Sequence, residues 1–111
     1  MAVNALTQEE LEAALRQLSD WQVVVSSTLA KDAKQQSYEL HRVFKFASFE
    51  AAMGFMAQAT RLITQLDHHP RWENTWRTVS VWLTTWDAGH QPSMLDLQLA
   101  RQLDALWKDF A

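Results

Sequence analysis

Between Ser48 and Pro70 the chain carries one long helical stripe, bracketed on both sides by stretches that alternate. Phe49, Ala52, Met53, Met56, Ala59, Ile63 and Leu66 recur at the spacing of one helix face, and Phe55 and Leu62 widen it. Ser48 supplies an N-cap and Glu50 sits in the first turn. Pro70 cannot continue a helix, and the residue before it is pushed out of the α region. From Ser37 to Phe46 the period is two instead: Tyr38, Leu40, Phe44 and Phe46 share a face that Arg42 interrupts, while Glu39, His41 and Lys45 share the other. From Trp72 to Trp86 the alternation returns, with Trp72, Trp76, Trp82 and Trp86 on one parity and Val79, Val81 and Leu83 on the other. Both faces are partly apolar, which predicts a central strand or one at a subunit interface. A break near Arg77 would divide this stretch in two.

The flanks add two helices and a strand. Thr7-Gln8-Glu9-Glu10 has the spacing of a capping box, with Leu6 and Leu11 around it as a hydrophobic staple. Leu11, Ala14, Leu15 and Leu18 carry that helix to an expected end near Ser19. Trp21 to Val25 is aromatic and β-branched, hence a strand, and the polar residues 27–36 suit a loose hairpin connection. Asp87 to Pro92 reads as a loop. Ser93-Met94-Leu95-Asp96 opens a last helix whose core stripe is Leu95, Leu99, Leu103, Leu106 and Phe110. The order α-β-β-α-β(β)-α predicts one domain over residues 1–111: an α+β fold, with an antiparallel sheet of three or four strands and three helices packed on one face.

Composition narrows the function classes. A net charge of −3 gives no basic excess, so nucleic acid is not the expected partner. With no cysteine there is neither a disulfide framework nor thiolate chemistry. Two glycines leave no glycine-rich phosphate loop. The first residues lack a signal peptide's charged and apolar regions. No stretch approaches the roughly 18 apolar residues of a membrane span, so a cytoplasmic protein without a membrane partner is expected. The wide stripe on residues 49–66 of so small a chain predicts a homodimer or homotetramer.

The chemistry concentrates in Asp67-His68-His69-Pro70-Arg71-Trp72-Glu73-Asn74, which holds two of the four histidines. Histidine exchanges protons near neutral pH, and a pair at a helix end is a candidate acid–base site. By itself such a pair is more often a solvated loop element than a catalytic site. Metal binding is not expected, because there is no cysteine and no third ligand at a regular spacing. The tryptophans are strand and core residues first, Asp96 most simply caps the last helix, His41 lies on the solvent parity and His90 in a loop.

Several motifs together resemble the pterin-4a-carbinolamine dehydratases over nearly the whole chain. They are Leu-Thr-Gln-Glu-Glu opening the first helix, Trp21, Phe44-Lys45-Phe46 with Phe49 and Gly54-Phe55-Met56, and Leu66-Asp67-His68-His69-Pro70 followed by Trp72, Asn74 and Trp76. Leu83-Thr84-Thr85-Trp86 and Ser93-x-x-Asp96-x-x-Leu99-Ala100 complete the set. The resemblance implies a hydro-lyase that removes water from a 4a-hydroxytetrahydropterin to give the quinonoid dihydropterin, with no metal or cofactor. It makes His68 the candidate general acid toward the departing hydroxyl. His69 would bind the ring and act as base, and Asp67 would orient or charge the pair. Thr84, Thr85 and Trp86 match the strand end that lines the pterin pocket. Two positions depart from the family pattern: Thr64 stands where an acidic or other charged polar residue is usual, and Trp86 where many members carry a third histidine. The loop before Asp96 is one residue longer than expected and contains His90. The resemblance also implies an alternative, a non-catalytic protein serving as a dimerisation cofactor of a transcription factor.

Overall fold

The computed structural model describes residues 3–26 and 36–111. Its elements are α1 (Gln8–Gln17), β1 (Gln22–Val25), β2 (Tyr38–Lys45), α2 (Phe49–Leu66), β3 (Arg71–Thr75), β4 (Thr78–Leu83) and α3 (Met94–Trp107). The four strands form one antiparallel sheet in the order β1-β2-β4-β3. The architecture is the α+β arrangement expected from the sequence. The hairpin connection placed on residues 27–36 lies outside the described residues, apart from Gln36.

Local signals set the helix ends. Thr7 and Glu10 form a reciprocal capping box at α1, Ser48 caps α2 through the Ala51 N–H, and Ser93 and Asp96 form a second capping box at α3. Helix α1 ends at Gln17 with Leu18 as its C-cap, close to the expected end near Ser19. Helix α2 ends where Asp67 adopts a left-handed conformation (φ 49°), which turns the chain toward the sheet and places His68 directly after the turn.

The break near Arg77 is a two-residue turn, Trp76-Arg77, joining β3 to β4. It changes what the parity of the tryptophans means. In one continuous strand Trp72 and Trp82 would share a face. In the hairpin Trp72 pairs with Val81, on the helix side, and Trp82 pairs with Arg71, on the opposite side. β4 is one of the two inner strands, flanked by β2 and β3, and Val79, Val81 and Leu83 are fully buried beneath the helices.

The core joins Leu40 and Phe44 of β2, those three β4 residues, Ala52, Phe55 and Ala59 of α2, and Leu99 and Leu103 of α3. Phe55 is fully buried against Phe44, Phe46 and Phe110. It therefore belongs to the chain's own core and, contrary to the expectation from the stripe, does not widen an unpartnered face of α2. Arg42 breaks the apolar face of β2 without exposing itself. Its guanidinium stacks over Phe44 and Trp107 and donates to Asp104 Oδ1 at 2.7 Å, an oxygen that also accepts the Trp21 indole N–H at 2.8 Å. Burial raises the Asp104 carboxyl above its ordinary pKa, against the Trp21 hydrogen bond and the Arg42 charge.

Candidate active site

His68, His69 and Asp67 sit where α2 hands over to β3, and Thr84, Thr85 and Trp86 sit just past the end of β4. All six border one cavity of about 280 Å³, together with Val3, Asp87 and Leu95. Larger depressions beneath α1 and beside Asp104 hold no histidine.

Within this cluster the two histidines differ. His69 is exposed, whereas His68 is only 9% exposed. His68 Nε2 lies 2.5 Å from Asp96 Oδ1. Asp96 is fully buried, and its other oxygen accepts the Ser93 N–H at 2.8 Å and the Thr85 hydroxyl at 2.7 Å. Thr85 Oγ1 and Ser93 Oγ are 2.5 Å apart. The single Thr85 hydroxyl proton is committed to Asp96, so Ser93 donates to Thr85. Two donors, the Ser93 N–H and the Thr85 hydroxyl, are thus aimed at one oxygen of the buried carboxylate, and His68 Nε2 faces the other. A carboxylate facing Nε2 holds a proton on that nitrogen and leaves Nδ1 to exchange one with a ligand.

Asp96, expected from the sequence only as a cap, is the candidate site residue that the sequence did not single out. It is a cap, through Ser93, and with its second oxygen it is also the partner of His68. A signal was present: Asp96 shares the buried stripe of Leu99 and Leu103, an unusual place for a carboxylate whose task is only to cap a surface helix. Thr85 has its hydroxyl turned to Asp96, and the Thr84 hydroxyl donates to the Tyr38 carbonyl at 2.9 Å. Trp86 is 63% exposed and stacks on His90, with ring centroids 4.5 Å apart. Thr64 is exposed and its hydroxyl bonds back to the Thr60 carbonyl, so it brings nothing to the histidines. Among the described residues no three His, Asp or Glu side chains converge as metal ligands.

Residues 4–106 match the family model described as Pterin 4 alpha carbinolamine dehydratase. The chain belongs to the pterin-4a-carbinolamine dehydratase family. Curated relatives from Brucella ovis and Brucella canis, each named "Putative pterin-4-alpha-carbinolamine dehydratase", are 40% identical over 106 residues, covering 96% of this chain and 98% of theirs. A crystal structure from Brucella melitensis, described as a transcriptional coactivator/pterin dehydratase, superposes with a TM-score of 0.76 at 37% identity, covering 93% of this chain and 98% of that one. Within this pterin-4a-carbinolamine dehydratase fold, the described residues include no helix long and apolar enough to cross a membrane.

Proposed function

We propose that this protein dehydrates a 4a-hydroxytetrahydropterin to the quinonoid dihydropterin through His68 and His69. The observation that carries the proposal is the buried Asp96–His68 pair at the wall of a cavity that His69 also borders. In the proposed elimination, His68 gives a proton to the 4a-hydroxyl as the C–O bond breaks and water leaves. A ring nitrogen gives up its proton to His69, and its electron pair forms the new C=N bond. Asp96 holds the His68 ring through Nε2 and so fixes Nδ1 as the nitrogen that delivers the proton. The reaction needs no cofactor, and solvent exchange resets both imidazoles. Measuring dehydration of a freshly generated carbinolamine against its spontaneous rate tests the proposal. A rate indistinguishable from background would remove it.

Trp86 sets the expected stereochemistry. An indole N–H donates a hydrogen bond but does not transfer a proton near neutral pH. The 4a-hydroxyl projects from either face of the ring, and only one face meets His68. A strong preference for that epimer is expected, and Trp86→His should raise turnover of the other epimer more than of the preferred one. Rates measured separately on the two epimers check this, and equal rates in the wild type would refute it.

Self-association is part of the proposed picture, on different grounds from the width of the α2 stripe. Phe49, Met53, Ala57, Thr60 and Thr64 follow helical spacing along a side of α2 that carries no charge, and Phe49 is 43% exposed. A dimer or tetramer is expected in sedimentation at micromolar concentration, and a monomer would count against it. The relative described as a coactivator favours a second reading, in which an assembled form of this chain also binds a protein partner through its helices.

A further inference from the structure

Trp86 is a wall of the histidine cavity that the sheet does not hold in place. It lies just past the end of β4, is 63% exposed, and borders the cavity of His68 and His69. Among the described residues the one aromatic ring stacked on it is His90, with centroids 4.5 Å apart and planes 28° from parallel. His90 does not itself border that cavity but lines an adjoining one. It is 7% exposed, and its backbone is tied down on both sides. Its N–H donates to the Thr85 carbonyl at 3.1 Å and to the Trp86 carbonyl at 3.3 Å, and its carbonyl accepts from the Tyr38 N–H at 3.1 Å. Thr85 and Gln91 pair across the base of the loop, so residues 86–90 form a closed bend that returns His90 to the indole. The exposed ring therefore rests on a fixed one.

The identity of residue 90 follows from two demands. His90 has φ 60°, in the left-handed region, directly after Gly89 at φ 75°. Among residues with a side chain, Asn, Asp and His are the types enriched there. Of these only histidine carries an aromatic face. The imidazole is not kept for a hydrogen bond at Nε2, which is buried with no partner among the described residues, a loss that costs stability. What the ring offers is its stacking face, and Trp86 takes it. We propose that His90 is a positioning residue: it fixes the Trp86 indole as a rigid wall, and that wall decides which face of the pterin turns toward His68. The disfavoured 4a-hydroxyl reaches His68 only on a ring that enters turned over, and a fixed indole opposes that entry. The proposal rests on the dehydratase reading above and assigns its stereochemical selectivity to a residue outside the histidine cavity.

The test reads the ratio of turnover rates for the two carbinolamine epimers. His90→Asn and His90→Gly both suit the backbone at position 90, and both remove the ring. Each should lower the ratio about fivefold, the scale of one aromatic pair, through a gain on the disfavoured epimer. A substitution that acted only on the stability of the loop would lower both rates together and leave the ratio where it was. In a Trp86→Ala background there is no indole to hold, so adding His90→Asn should leave the ratio within about twofold. Denaturant unfolding checks that each variant is folded. A wild-type ratio retained by both folded variants would overturn this inference alone, as would an equal fall in the Trp86→Ala background. Absence of turnover above background for both epimers in the wild type would overturn the dehydratase reading, and this inference with it.

Discussion

Asp96→Asn is expected to fold and to lose dehydration by about a hundredfold, the same scale as loss of the proposed acid it supports. The substitution keeps size and leaves an oxygen for the Ser93 N–H and the Thr85 hydroxyl. At His68 it puts an amide N–H₂ where a carboxylate oxygen stood 2.5 Å from Nε2. A donor there demands a bare Nε2, so the ring must place its proton on Nδ1 and cannot readily become imidazolium. The proposed acid is then fixed in its neutral form. Asp96→Ala should behave differently. It strips acceptors from the Ser93 N–H, the Thr85 hydroxyl and His68 in a fully buried place. At about 1–3 kcal/mol for each orphaned group, the loss approaches the whole stability of a small domain. Denaturant unfolding beside the activity assay separates the two cases. An Asp96→Asn protein with full activity would refute the role given to the pair.

The second large effect is expected at the histidines themselves. His68→Ala and His69→Ala should each lower dehydration about 100-fold. Their structural costs should differ. His69 is exposed, so its loss should leave unfolding nearly unchanged. His68→Ala leaves Asp96 as a buried carboxylate short of one donor, so this variant should also be measurably less stable. Both measurements use the same two proteins. Full activity of both variants over background would remove the proposed mechanism.

The frame of the fold was legible because its signals are local. Capping boxes at Thr7 and Ser93, the N-cap at Ser48 and the stop before Pro70 each act within a few residues. The alternation in 37–46 gave the correct inward set for β2, since Leu40 and Phe44 are fully buried. The motif residues were legible as a group, because the family pattern joins segments that the fold brings to one cavity. What escaped were the charged groups whose burial depends on distant partners. Asp96 meets His68 across 28 positions, and Arg42 meets Asp104 across 62. Glu39 lay on the solvent parity and is buried because Arg71 reaches it from β3, across β4. Periodicity tells which way a side chain faces, but not what will cover it.

The double duty of Asp96 ties the chemistry to the docking of α3. One oxygen secures the first turn of that helix and the other holds His68, the proposed proton donor, just past the end of α2. Fraying of the α3 N-terminus therefore releases the carboxylate that holds His68. Conversely, a ligand that engages His68 holds that helical turn closed, so occupancy of the cavity should slow amide exchange at its first hydrogen-bonded N–H groups, Asp96 and Leu97.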